Sequence, residues 1–388
     1  MKIAYVGPFA FPESHANSLR VRGMAEAIAQ GGHEVVICPG MRSSEDKKNS
    51  LLSIHVDGVD EYSRRSGLSR LPGVRGLFIG DATIDWLRSR SKKPDAIILY
   101  GTHLSYLLRL QKYAAETGVK LFLDVVEWYD PRHLPGGLFG PYAAMNEWAM
   151  RHATKKVDGL FVISSYLDRY FSSAGCRTLR VPPLFSVAPI KESASFRDTN
   201  AALNVCYVGS PGKKEDFSVL FSGIKMARDH GLPIYFHMVG VSEFEFRKSY
   251  PNVALEEKSA DWLRFYGRIS NDAAKNVIAS CDFTIIVRQK TRVAQAGFPS
   301  KVSESLSLGI PVISNSFSDV EKYIRPNNAG VMIEDLSANG VFTALSAAAK
   351  LNDAELIELK SNARALAKRD FSPSEYSREI GSFLSEFL

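Results

Sequence analysis

The chain has 388 residues, 45% hydrophobic and 23% charged, with a formal net charge of +6. That is the make-up of a soluble globular chain long enough for two domains, without repeats or low-complexity segments. No apolar run approaches the about 20 residues a bilayer span needs. The modest positive charge comes without a polybasic tail or RNA-binding signature, so nucleic acid is not an expected partner.

Ile3 to Val6 reads as a strand, entered from Met1 and Lys2 without the features of a secretory signal. Gly7-Pro8 breaks it, and the loop Phe9 to Asn17 leads into an amphipathic helix bearing Leu19, Met24, Ala27 and Ile28, closed by Gly31-Gly32. Val35 to Cys38 is the next strand. This β–loop–α–β order predicts a parallel, doubly wound sheet, whose first loop lies at the carboxyl edge where ligands bind. That loop and the helix entry carry Glu13, His15, Asn17 and Arg20, but no G-x-G-x-x-G, which argues against a dinucleotide cofactor. Asn17 and Arg20 are equally readable as a helix cap and a surface charge. In the span 64–93, Arg64, Arg65, Arg70, Arg75, Arg88, Arg90, Lys92 and Lys93 alternate with apolar side chains including Phe78 and Trp86. Such a surface could dock peripherally on anionic lipid, or be a solvated helical face.

Asp95 to Leu99 is a strand followed by the turn Tyr100-Gly101-Thr102-His103; a helix from Leu104 and a strand from Val119 to Val126 come next. The second strand ends in Glu127-Trp128-Tyr129-Asp130-Pro131-Arg132-His133, acids, bases and aromatics at a strand's carboxyl end. Loops in that position carry chemistry because the sheet fixes them while they stay exposed; a Pro/Gly surface turn is the plainer alternative. Tyr142 to Lys156 is expected to be helical, Ser164 or Ser165 to cap the helix after the next strand, and Pro182-Pro183 to open a polar linker. Cys38, Cys176, Cys206 and Cys281 form no C-x-x-C pair, and all but Cys176 sit in or beside apolar runs, as buried thiols of a reducing cytoplasm would.

A second sheet starts at Leu203 to Val208 and feeds the turn Gly209-Ser210-Pro211-Gly212-Lys213-Lys214. A Gly-bearing turn lets amides approach a phosphate and the lysines add charge, although a solvated Lys-Lys turn is common and the Walker ending is absent. After Leu263 to Arg268, a helix and the strand Asp282 to Val287, a polar loop holds Arg288, Lys290, Arg292 and Gln295. The most informative stretch is Phe298 to Ser314: loop, short helix, Gly309, then a strand from Ile310 to Ile313. Pro299 suits the first turn, and Ser300 and Lys301 place a hydroxyl and a cation beside free amides at an anion-attracting helix start. Glu304, one turn further, suits ribose hydroxyls or simple solvation. The last helix is amphipathic through Phe383, Leu384 and Phe387.

At Pro299-Ser300-Lys301 and Glu304 to Val312 the chain resembles the family-4 glycosyltransferases, which are retaining, metal-independent enzymes of the GT-B fold using nucleotide-sugar donors. The resemblance implies two Rossmann-like domains facing a central cleft: an acceptor domain over 1–183, a donor domain over 184–371, and a helix over 372–388 packing back on the first. It implies that Glu304 holds the donor ribose and that the amides near Ser300 and Lys301 hold the diphosphate. Lys213 or Lys214, after Gly209, would neutralise that diphosphate, with Arg268 and Gln295 nearby and His15, Asn17 and Arg20 facing phosphates or acceptor. The donor would be a nucleoside diphosphate sugar, UDP favoured over GDP, with no metal and no cofactor. The acceptor would be a glycan, lipid-linked, as in bacterial surface polysaccharide assembly at the inner face of the cytoplasmic membrane. Two departures stand out. Ala296 occupies the place of the family's sugar-contacting Glu, and Val125-Val126-Glu127 replaces its strand-end His, so Glu127 or His103 would serve there beside Lys301. A nucleotide-sugar epimerase of the same fold and a non-catalytic nucleotide-sugar binder are the rival readings.

Overall fold

Short apolar runs, each followed by an amphipathic helix, become the strands of two parallel sheets in the computed structural model, which describes residues 1–12, 16–41, 54–62, 79–187, 202–212, 214–253, 255 and 261–388. One compact unit takes Met1–Leu184, Ala296–Phe298 and Ser372–Leu388; the other takes Phe185–Gln295 and Pro299–Phe371. His15, Lys213 and, of the expected basic patch, Arg64, Arg65, Arg70 and Arg75 lie outside the described residues.

The first unit runs β1 (Lys2–Gly7), α1 (Ala16–Gln30), β2 (Glu34–Pro39), β3 (Ile54–Val56), α2 (Asp81–Ser89), β4 (Ala96–Tyr100), α3 (Leu104–Thr117), β5 (Lys120–Val125), α4 (Pro141–Arg151), β6 (Gly159–Val162), α5 (Ser165–Ser172) and β7 (Thr178–Arg180). The strand order is β3-β2-β1-β4-β5-β6-β7, with Ile3 opposite both Val35 and Ala96. The chain therefore reverses its direction of winding between β1 and β4, the place where doubly wound sheets open a crevice. The C-terminal helix Pro373–Ser385 closes one face of this sheet: Ile380, Phe383 and Leu384 join its core. Phe383 stacks edge-on against Phe161 at 5.3 Å and Phe122 at 6.0 Å. Gly159 is required there, because a Cβ would come within 2.9 Å of the Phe383 ring.

Under the switch point lies a buried ion pair. Arg20 donates through Nε and Nη2 to the two Asp124 oxygens, at 3.0 and 2.8 Å, and through Nη1 to the carbonyls of Val181 and Pro182. Tyr5 Oη donates to Asp124 Oδ2 at 2.5 Å. Arg20 and Asp124 are 4% and 0% exposed, so Arg20 is not a surface charge. It ties α1 to β5 and the end of the first domain.

Two expected elements shift for local reasons. The helix over Tyr142–Lys156 stops at Arg151, and residues Ala153–Lys156 form a 3-10 turn. Gln111 Nε2 of α3 donates to the Ala153 carbonyl at 2.8 Å and draws that segment inward. The basic span is also used differently in its described part. Trp86 is buried with Nε1 on Asp57, Arg90 pairs with the same carboxylate at 2.9 Å, and Arg88 pairs with Glu116. Trp86 and Arg90 thus pack at the end of α2, while Arg88, Lys92 and Lys93 stay exposed.

The second unit runs β8 (Leu203–Val208), α6 (Phe217–Asp229), β9 (Ile234–Val239), α7 (Glu243–Ser249), β10 (Leu263–Gly267), α8 (Asn271–Ala279), β11 (Phe283–Ile286), α9 (Arg292–Ala296), α10 (Ser300–Ser307), β12 (Val312–Asn315), α11 (Val320–Ile324), β13 (Gly330–Ile333), α12 (Ala338–Lys350) and α13 (Asp353–Asp370). The order β10-β9-β8-β11-β12-β13 repeats the first sheet's switch, here between β8 and β11. The strand β12 begins two residues later than Ile310 suggested, since Pro311 has no N–H to give; Ser314 and Asn315 extend it instead. Phe217, Phe221, Phe236 and Phe246 form the aromatic centre of its core.

Truncating Arg20 would leave Asp124 buried without its counter-charge. Arg20→Ala is expected to cost about 3–5 kcal/mol of stability, read by urea unfolding; a loss below 1 kcal/mol, about that of a surface change, would contradict this account.

Candidate functional site

At the second switch point, the loops after β8 and β11 meet the start of α10. Gly209, at φ 122°, makes the meeting sterically possible: a Cβ there would sit 2.5 Å from Lys301 Cε. Lys301, in the first turn of α10, extends its stem across that gap. Its ammonium donates to Tyr207 Oη at 2.5 Å and to Glu215 Oε1 at 3.2 Å. Arg288 approaches from the other loop and donates from Nη2 to the same Glu215 oxygen at 2.7 Å. Glu215 Oε2 accepts the Gly212 N–H at 3.1 Å, which fixes the turn.

Arg288 is held at its backbone by Asn315, whose Oδ1 accepts its N–H and whose Nδ2 donates to its carbonyl. The guanidinium carbon lies 5.4 Å from the centre of the Phe317 ring. Its Nε is buried and has no hydrogen-bond partner among the described residues. Such orphans are few in folded proteins, and a water, an ion or a ligand commonly supplies the acceptor.

Electrostatics set this group apart. Burial would raise the Glu215 carboxyl, yet Lys301 and Arg288 outweigh it and hold it at about 2. Burial together with Arg288 and Lys301 pushes the Lys214 ammonium down to about 8, against the opposing pull of Glu215. Lys301 is lowered mainly by burial, despite Glu215. Three cations thus lie around one carboxylate, and burial, with the other cations adding to it, makes the two lysines more acidic. Glu304, one turn along α10, is half-buried; burial raises its carboxyl, with Lys275 and Lys301 as the opposing charges.

The remaining sequence candidates fall elsewhere. Ser300 opens α10, with Pro299 just outside at the cap position rather than in the first turn. Gln295 accepts the Ser318 N–H through Oε1 at 2.9 Å and so positions the loop after β12. Arg268 is exposed and pairs with Glu245 at 3.4 Å, apart from the Glu215 group. In the first unit, Asn17 Oδ1 accepts the Ser18 N–H inside α1. His103 precedes α3, its Nδ1 3.3 Å from Ser105 Oγ. Glu127 is half-buried after β5, next to Trp128, which is buried and donates to Glu147 at 3.0 Å. Asp130 caps the following turn and pairs with Arg132. Among the described residues no group of three or more His, Cys, Asp or Glu is placed to hold a metal.

Two family models cover most of the sequence: a glycosyl transferase 4-like domain over residues 18–184 and glycosyl transferases group 1 over 194–365. The chain is a family-4 glycosyltransferase. It is 20% identical over 201 residues to WcaL of Escherichia coli (strain K12), described as a colanic acid biosynthesis glycosyltransferase. That match takes in 52% of this chain and 48% of WcaL, so it spans about half of the relative. Among solved structures, the sucrose-phosphate synthase of Thermosynechococcus elongatus superposes with a TM-score of 0.74 at 13% identity, over 99% of this chain and 98% of that one. Anabaena HepE in complex with UDP superposes at 0.70 and 13%, over the whole of both chains. These likenesses place the glycosyltransferase in the GT-B fold.

Glu215 and Tyr207 were not chosen from the sequence, whereas Arg288 was read there as part of the polar loop after the strand Asp282 to Val287. The signal for Glu215 was its place directly after the Lys pair.

Because Glu215 is depressed in the folded state, its contribution to stability is complete above the ordinary carboxyl range and is lost as pH falls from about 4.5 towards about 2. Unfolding free energy measured across that window should fall for the native protein and flatten for Glu215→Gln. Parallel curves would mean that Glu215 does not bind the cations as described.

Proposed function

We propose that the enzyme transfers a sugar, with retention at the anomeric carbon and without a metal, from a nucleoside diphosphate sugar to a glycan acceptor. The observation that carries this reading is the cation group of Lys214, Arg288 and Lys301 around a single carboxylate, with the buried Arg288 Nε unpartnered. A diphosphate leaving group gains negative charge as the glycosidic bond breaks. Fixed cations and the amide-rich start of α10 stabilise that charge without reorganising. They do at this place what a metal does in enzymes with an Asp-x-Asp element, which the sequence lacks.

In this reading the second unit binds the donor and the first binds the acceptor. Glu304 accepts from the ribose hydroxyls, and the departing phosphate takes the acceptor's proton, with Glu127 or His103 orienting the hydroxyl. UDP is favoured over GDP, in keeping with the UDP complex of Anabaena HepE. The acceptor is a lipid-linked glycan at the inner face of the cytoplasmic membrane, and the likeness to WcaL supports a role in surface polysaccharide assembly.

A thermal-shift panel of UDP, GDP, ADP, CDP and dTDP tests the donor class first: UDP should raise Tm most, and a flat panel would remove the reading. Lys301→Ala should lower kcat by about a hundredfold while leaving acceptor KM near its original value. Glu304→Ala should instead raise donor KM about tenfold with little change in kcat. Equal effects of the two substitutions on kcat would merge roles that are assigned here to different atoms.

A further inference from the structure

Leu138 and Phe139 are 58% and 97% exposed, the largest values for big apolar side chains in the first unit's described residues. They are not on a fraying end. Gly136, at φ 84°, and the Gly140 N–H bond to the Gly137 carbonyl at 3.1 Å shape the turn that carries them. Directly afterwards, α4 presents Pro141, Ala144 and Trp148 to solvent at helical spacing, and the same stripe continues into Arg151, His152 and Lys155. Trp148, Arg151, His152, Lys155 and Lys156 line one open hollow.

The charges around this face are one-sided. Arg151 pairs with Glu147 at 3.0 Å and Arg132 with Asp130 at 2.6 Å. Among the described residues, His152, Lys155 and Lys156 have no carboxylate within ion-pair distance. Lys155 Nζ lies 5.4 Å from the Tyr170 ring centre, and Arg151 is 5.5 Å from that of Trp128. Both charged ends thus lie over aromatic faces at the edge of the hollow. An apolar tip, an exposed indole and a basic belt in sequence along one stripe match the layers of a bilayer surface: acyl boundary, headgroup level and phosphate. Among the described residues no helix is long and apolar enough to cross a membrane.

We infer that this face, Leu138–Phe139 with Trp148 and the basic residues through Lys156, docks the enzyme on an anionic lipid surface. Leu138 and Phe139 enter the interface, Trp148 sits at headgroup level, and Lys155 and Lys156 meet lipid phosphates. The inference does not depend on the donor assignment, since lipid binding is read without catalysis.

Sedimentation of the full chain with vesicles tests it, using equal parts phosphatidylglycerol and phosphatidylcholine against phosphatidylcholine alone. The native protein should pellet with the mixed vesicles, weakly with the neutral ones, and less at high salt. The pairs Leu138→Ser with Phe139→Ser, and Lys155→Glu with Lys156→Glu, should each weaken partitioning by at least about tenfold, with Tm unchanged because all four side chains are exposed. Absence of binding to the mixed vesicles, or variants that pellet as the native protein does, would overturn the inference. So would a dimer seen by light scattering that the Leu138/Phe139 pair abolishes while vesicle binding persists, since the face would then belong to a second copy.

Discussion

Glu215 is the side chain that lets the second unit hold three cations in a partly buried space. Burial, with repulsion among the neighbouring cations, disfavours the charged ammonium groups, and the lowered pKa values of Lys214 and Lys301 record that cost. One carboxylate, shared between Arg288 and Lys301, offsets the repulsion enough for the fold to form. It does not balance it. With Lys214, Arg288 and Lys301 charged, the group carries more positive than negative charge, which is what the proposed pyrophosphate of the donor would offset. The fold and the chemistry meet in this imbalance: the same residues that pin the Gly209 turn to α10 are left short of negative charge.

The first unit shows the alternative use of the same architecture. Its sheet switches direction between β1 and β4 just as the second switches between β8 and β11. There, however, the arginine beneath the switch is satisfied by Asp124 and two backbone carbonyls, and Tyr5 supplies a further hydrogen bond to the carboxylate. That hub is closed. It fastens β5 to α1 and to the chain leaving β7, with its cation and its carboxylate paired to each other. Topology names the places where a ligand can sit; whether the local charges are balanced decides which of them is prepared for an anion.

Much of this was legible in the sequence where physics acts locally. Strands such as Leu203–Val208 and Ile234–Val239 were readable as apolar runs, and Gly209, Ser300, Lys301 and Glu304 were readable as turn and helix-start chemistry. What was not legible depends on pairs far apart in the chain. Glu215 carries no local signal of its role beyond its place after the Lys pair, because Arg288 and Lys301, which pair with it and depress its pKa, follow some seventy and more residues later. Arg20 looked like a surface cation for the same reason, its partner lying at Asp124. The basic span around Arg88 and Arg90 drew notice by composition alone, whereas Leu138–Lys156 has an unremarkable composition and becomes a surface only once helical spacing and exposure are known.

The Ala296 position separates two parts of donor recognition that the family pattern joins. Where an acid would contact the transferred sugar there is a methyl group, itself fully buried, so no hydrogen bond from that side chain can read the sugar's hydroxyls. In the proposed reading the diphosphate contacts do not involve it and rest on Lys301, Arg288 and the Gly209 turn, whose geometry is fixed by Glu215 and Tyr207. Affinity for the nucleoside diphosphate can therefore be conserved while preference among sugars is set by other side chains. Charge complementarity to a pyrophosphate supplies free energy common to every such donor, and hydrogen bonds to hydroxyls discriminate among them. The loss of one hydroxyl reader alters the second quantity and leaves the first in place.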